Sequence, residues 1–219
     1  PRTTYISYGA DLSASNCEPE RYVEWCRSHG VQPDSYFLVI GRFVPENNYE
    51  TIIREFMASP TRRQLVILTN ASENRFMRAL REKTGFEKDK RIIFAGTVYE
   101  HELVKRIREG AIAYIHGHEV GGTNPSLLEG LASTPVNILM DVCFNREVGG
   151  GAALYFDKTK GALQKAIAQV ESMTMEERAA YAEKARQRIL DDYRCEGVSA
   201  NYEKLFEEIS AACISETAR

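Results

Sequence analysis

Six short apolar runs, the first four each followed by a stretch with helical spacing and the last by three such stretches, constrain this chain more than any other feature of its sequence. Tyr36-Phe37-Leu38-Val39-Ile40 precedes residues 46–58, where Tyr49, Ile52, Ile53 and Phe56 recur at the helical period. Leu65-Val66-Ile67-Leu68 precedes residues 72–83, striped by Phe76, Met77 and Leu80 and opened by Ser72 as a predicted cap. The same grammar returns at 91–95 before 100–108, and at 111–115 before a helix carrying Leu127, Leu128 and Leu131. Residues 136–140 and 153–156 add two further strands, after which 162–170, 175–193 and 198–212 read as helices. Strands apolar without alternation are buried on both sides, so the pattern predicts an α/β fold. The expectation is a Rossmann-like parallel sheet of about six strands, with helices on both faces and a helical C-terminal end.

A sheet of that kind binds ligands beyond the carboxyl ends of its strands. Attention therefore falls on four loops: Gly41-Arg42-Phe43, Thr69-Asn70, Gly96-Thr97-Val98 and residues 117–124. In the last of these, Gly121 and Gly122 let a backbone approach an anion, and the helix start that follows offers unpaired N–H groups. Thr123 or Asn124 can cap that helix, and Pro125 suits its first turn. An ordinary strand-to-helix loop uses the same signals, so the segment alone leaves both readings open. Arg42 directly follows the first strand, where its guanidinium could grip a diphosphate or pair with a carboxylate such as Glu46. Glu129 could accept hydrogen bonds from sugar hydroxyls or lie on a solvated helix surface.

Composition narrows the partners. With 219 residues and 43% hydrophobic content the chain can bury a full core. A net charge of -3 and a pI near 5.9 give no electrostatic footprint for nucleic acid. Cys17, Cys26, Cys143, Cys195 and Cys213 are scattered, with no zinc-type spacing, and read as reduced thiols of a cytoplasmic protein. His116 and His118 flank a glycine but lack nearby Cys or Asp partners, so no metal site is expected and His116 reads as a core or strand-end residue. No apolar run approaches the ~20 residues of a membrane span. Residues 1–33 are less regular: 5–12 resembles a short strand running into a turn, and 20–28 a helix carrying Trp25. The chain opens mid-pattern without an initiator Met, which is expected of a piece of a longer two-domain protein, with 1–33 as hinge and leading helix and 34–219 as the binding domain.

Two motifs carry a resemblance. Gly41-Arg42-Phe43-Val44-Pro45-Glu46-Asn47-Asn48 resembles the G-R-x-x-x-x-K-G signature, and residues 121–129 the E-G-F-G-x-P-x-x-E signature, of GT-B glycosyltransferases of the retaining family 4. Residues 5–11 look like the hinge that follows the first domain of those enzymes, and 193–206 like their closing helices, so the resemblance covers nearly the whole chain. It implies one half of a GT-B fold, the C-terminal domain that binds the nucleotide-sugar donor. The strings V-P-E-N-N-Y-E-T and H-G-H-E-V-G-G-T-N-P-S-L-L-E look most like bacterial rhamnosyltransferase-type members that act in surface polysaccharide assembly.

For individual positions the family implies that Arg42 binds the donor diphosphate, that the backbone of Gly121, Gly122, Thr123 and Asn124 cradles it, that Glu129 holds the ribose hydroxyls, and that Thr97 and Val98 line the base pocket. The lysine that accompanies the arginine in relatives falls at Asn47, and the first acid of the paired-glutamate motif falls at Gly121, eight residues before Glu129. Glu119 stands ten residues before Glu129 and replaces that acid only if the loop takes another path. The implied activity is transfer of a hexosyl or deoxyhexosyl group from a nucleoside-diphosphate sugar, with dTDP-rhamnose as one donor, and no cofactor. The acceptor would be a saccharide or lipid-linked saccharide held by the missing N-terminal domain, at the inner face of the membrane. A dehydrogenase is disfavoured because Gly41 does not begin a G-x-G-x-x-G turn. A non-catalytic nucleotide- or sugar-sensing module of the same fold remains as the alternative.

Overall fold

In the computed structural model, which describes residues 3–217 and the side chains up to 210, six parallel strands form one sheet in the order β3-β2-β1-β4-β5-β6. The strands are β1 (Tyr36–Ile40), β2 (Gln64–Leu68), β3 (Ile92–Phe94), β4 (Ala111–His116), β5 (Asn137–Met140) and β6 (Leu154–Phe156). Nine helices are described: α1 (Pro19–His29), α2 (Tyr49–Ala58), α3 (Arg75–Thr84), α4 (His101–Glu109), α5 (Pro125–Ser133), α6 (Cys143–Gly149), α7 (Ala162–Ser172), α8 (Met175–Asp192) and α9 (Cys195–Thr217). The expected doubly covered parallel sheet is therefore present.

Alternation along each strand sends neighbours to opposite faces. Phe37 and Val39 of β1, with Leu65 and Ile67 of β2, pack on Ile52, Ile53 and Phe56 of α2 and on Leu163 and Ile167 of α7. Tyr36 and Leu38, with Val66 and Leu68, face Tyr22 and Trp25 of α1 and Leu103 and Ile107 of α4. The leading helix thus shares the sheet's core. Leu139 of β5 meets Leu127, Leu128 and Leu131 of α5 and Ile189 of α8.

Several local expectations are corrected. Residues 5–12 form no strand; a single bridge from Ala10 to Arg194 is their only ladder contact, because no neighbouring strand runs beside them. Helix α3 begins later than expected, with Asn74 rather than Ser72 as its cap, accepting from the Met77 N–H at 2.9 Å. The helix expected over 46–58 divides: Pro45–Asn47 is a 3-10 turn, and Asn48 takes a left-handed φ of 53° before α2 starts. Helix α6 was not anticipated; it is short and has no side-chain cap, so it lacks the usual start signal.

The chain's two windings diverge where β1 lies beside β4. An open α/β sheet leaves a crevice at such a point, beyond the carboxyl ends of the strands. That crevice receives the loop after β1 and the glycine turn after β4.

Candidate functional site

The two crevice loops are stitched together by residues distant in sequence. Asn47 donates through Nδ2 to the Arg42 carbonyl at 2.7 Å, which leaves its Oδ1 to accept from His118 Nδ1 at 2.8 Å. Asn48 donates through Nδ2 to the Gly117 carbonyl at 2.8 Å, and the Glu119 N–H donates to the Glu46 carbonyl at 3.1 Å. Gly117 is required by this approach, since a Cβ there would lie 2.3 Å from the Asn47 carbonyl oxygen. Asn47 therefore acts as a tether and brings no charge.

Between the loops lies a cavity of about 360 Å³. Ile40, Gly41, Arg42 and Asn47 form one wall, Asn124, Pro125, Ser126 and Glu129 another, and Arg108, His116 and His118 complete it. Of the residues singled out from sequence, Arg42, Asn47, Asn124 and Glu129 thus meet. Arg42 is exposed, and its guanidinium has no hydrogen-bond or ion-pair partner among the described residues. Its expected alternative partner, Glu46, does not bind it.

Glu129 is not a freely solvated surface carboxylate. Its Oε2 accepts from Arg108 at 2.5 Å, and the arginine side chain is only 6% exposed. Arg108 also donates to Ser126 Oγ at 3.3 Å, while its Nε has no partner. Ser126 Oγ and His116 Nδ1 each lie 3.0 Å from the Tyr114 hydroxyl. Burial, reinforced by His118, pushes the His116 pKa down to about 3, so its ring is neutral. Burial raises the Tyr114 hydroxyl to about 12.

Asn124, rather than Thr123, caps α5, accepting from the Ser126 N–H at 2.9 Å. The Leu127 and Leu128 N–H groups are taken by the Asn124 carbonyl. Free backbone donors therefore sit just before the helix and not in its first turn: the N–H groups of Gly121, Gly122, Thr123 and Asn124 have no partner among the described residues. Gly121 has a φ of 112°, a conformation that favours glycine. The Thr123 hydroxyl lies 2.7 Å from the Tyr5 hydroxyl and fastens the leading segment to the turn.

Gly121, Gly122 and Thr123 do not line the cavity, and neither do Thr97 and Val98. Thr97 is exposed, and Val98 is half-buried against the core beside β2. Glu119 turns away to Lys158, 2.7 Å distant. Burial alone would raise its pKa, but hydrogen bonds from Lys158 and Asn48 outweigh that and hold it below the usual value. Sequence reasoning overlooked Arg108, weighed His116 and His118 as metal ligands, and set both aside. A basic residue in a helix's last turn reads as a partner of the helix dipole, so Arg108 carried no distinguishing signal.

No group of three His, Cys, Asp or Glu residues placed to hold a metal occurs among the described residues. No helix among them is long and apolar enough to cross a membrane. Among the described residues the arrangement offers one unpaired guanidinium, Arg42, beside the paired Arg108, with free backbone donors on the neighbouring turn and a neutral imidazole near an anchored carboxylate, which suits a ligand with an anionic centre and hydroxyl groups.

Known structures share this architecture. A glycosyltransferase from Rickettsia africae ESF-5 superposes with a TM-score of 0.76 at 13% identity, covering 89% of this chain and 53% of that one. Sucrose-phosphate synthase from Thermosynechococcus elongatus gives 0.77 at 16% identity, over 94% and 52% of the two chains. Anabaena Alr3699/HepE in complex with UDP gives 0.74 at 12% identity, over 94% and 57%. The chain thus spans about half the length of these structures. No curated protein matches the sequence. The family model described as glycosyl transferases group 1 matches residues 24–188, most of the chain, and the chain belongs to that family.

Proposed function

We propose that this chain is the donor-binding half of a glycosyltransferase, which moves a sugar from a nucleoside-diphosphate donor to a hydroxyl acceptor. The observation that carries the reading is the crevice cavity, where an unpartnered Arg42 faces a wall holding the anchored carboxylate of Glu129. In this reading Arg42 and the free N–H groups of Gly121, Gly122, Thr123 and Asn124 take the diphosphate. Glu129 uses the oxygen that Arg108 leaves open to accept from the ribose, and Thr97 and Val98 border the base. The UDP bound to the Anabaena relative is support from a protein of the same fold.

Departure of the nucleoside diphosphate is the charge problem of such a transfer. A guanidinium and fixed backbone donors stabilise the leaving group's growing negative charge as the glycosidic bond to the phosphate oxygen breaks. Retention at the anomeric carbon follows the family resemblance, as do rhamnose as the sugar, dTDP-rhamnose as donor and surface polysaccharide assembly as the setting. The acceptor, a saccharide or lipid-linked saccharide, would be presented by a partner domain on the cytoplasmic side of the membrane. Asn47 has no part in holding charge; it keeps the Arg42 loop in place.

Calorimetric titration of the chain with dTDP, UDP and GDP tests the reading. Binding of at least one is expected, and no binding at millimolar concentration would rule the donor domain out. In the full-length parent, sugar transfer should be lost on Glu129→Ala; persistence of transfer would remove Glu129 from the site.

A further inference from the structure

We infer that His116 is a further ligand-binding residue, donating a hydrogen bond from Nε2–H to an anionic oxygen of the ligand held in the crevice. The inference deepens the donor-site reading and rests on it. His116 closes β4 at the cavity wall, is only 4% exposed, and its Nε2 has no partner. A buried polar nitrogen without a partner keeps its full desolvation penalty, so its presence calls for a compensating contact.

The direction of the bond follows from a chain of hydrogen bonds along the wall. Arg108 can only donate, and it donates to Ser126 Oγ at 3.3 Å. That contact fills one of the serine's two acceptor sites, and the Tyr114 oxygen, 3.0 Å away, is the one acceptor in reach of its O–H among the described residues, so we assign the serine as donor. The Tyr114 O–H then has two acceptors in reach, His116 Nδ1 at 3.0 Å and the Ile40 carbonyl at 3.3 Å. The shorter contact is to the imidazole. With Nδ1 accepting, the single proton of the neutral ring resides on Nε2 and faces the ligand as a donor. Because burial keeps the ring uncharged, it contributes an oriented dipole without the repulsion that a second cation would exert on Arg42. An anionic phosphate oxygen is the acceptor that suits such a donor.

The test titrates dTDP, UDP and GDP, each beside its own nucleoside, into the wild-type chain, His116→Leu, His116→Gln and Arg42→Ala. His116→Leu should weaken the tightest-bound nucleoside diphosphate about tenfold, the scale of one hydrogen bond to a charged oxygen, and leave the matching nucleoside unaffected. His116→Gln, which can offer an N–H from a similar position, should recover part of the loss. Nitrogen-15 spectra of the wild type should show Nε2 protonated and Nδ1 unprotonated, with the Nε2 resonance shifting when diphosphate binds. The opposite tautomer, or wild-type affinity in His116→Leu, overturns the inference. If Arg42→Ala weakens binding while His116→Leu does not, only the histidine's role falls. If no nucleotide binds the wild type, both the role and the donor-site reading fall. Thermal melts of both histidine variants separate a lost contact from a lost fold.

Discussion

The two ends of the sheet both open into grooves lined with arginine, and they treat it differently. At the amino end, the larger groove, about 670 Å³, runs past Ser35, Thr61, Arg63 and Glu171. There Arg63 donates to Glu171 at 3.3 Å and to Ser35 at 2.6 Å, and of the arginines lining the groove only the exposed Arg62 lacks a side-chain partner among the described residues. Nearby Arg91 binds Asp89 and the carbonyls of Met57, Ser59 and Thr61. At the carboxyl end the cavity is about half as large, yet Arg42, the His116 Nε2 and the amides of the adjoining turn lack partners among the described residues. Groove size alone therefore does not locate the site. Cations satisfied by their own chain hold the structure together, whereas unsatisfied polar groups are available to a ligand.

Exchanging arginine for alanine at each end tests this contrast. The largest effect is expected for Arg91→Ala, which leaves three carbonyls and Asp89 without their donor and should lower stability by about 3 kcal/mol in urea unfolding. Its nucleotide affinity should be unaltered. If stability is unchanged, the amino-end arginines are not structural and the contrast fails.

Arg42→Ala should reverse the pattern, weakening diphosphate binding by ~1.5–3 kcal/mol while stability moves by less than about 0.5 kcal/mol. Unchanged affinity by calorimetry would move the phosphate site elsewhere. A smaller cost, about 1–2 kcal/mol of stability, is expected for Gly121→Ala, because a side chain is strained at a φ of 112°. Gly151→Ala, at a position with open space around it, supplies the control and should be near neutral.

The smallest effect concerns Asp11, whose pKa is held well below the usual range by hydrogen bonds from Lys105 and Ser13. A depressed carboxyl pKa contributes stability that is present above its unfolded value, about 4, and lost as pH falls through the folded value. Wild type should therefore lose more stability than Asp11→Asn on acidification below about pH 4. Parallel pH profiles for the two proteins would show that the pair contributes nothing, as surface pairs often do.

Much of the fold was legible because strands buried on both faces leave continuous apolar runs, as in Tyr36 to Ile40. Residues 5–12 misled for the converse reason: a strand-like pattern needs a neighbouring strand, and here only Ala10 finds one contact, to Arg194. In the site, Arg42, Asn124 and Glu129 were legible from their places after strands β1 and β4. Asn47 was legible as a mismatch to the signature its loop resembles but not as a tether, because its partner His118 lies 71 residues away. Thr97 and Val98 follow β3, which two intervening strands separate from β4, and do not line the cavity.

By itself the sequence determined the parallel sheet, the loops at its carboxyl end and the glycine that the turn at Gly121 needs, since these follow from local periodicity and backbone freedom. Only the tertiary structure decided which polar groups are already paired. Asn47 is occupied by Arg42 and His118, Glu119 by Lys158, and one oxygen of Glu129 by Arg108, whereas Arg42 and the Nε2 of His116 are left open. The reason is physical: most of these pairings join residues far apart in the chain, so they exist only once packing has brought their elements together.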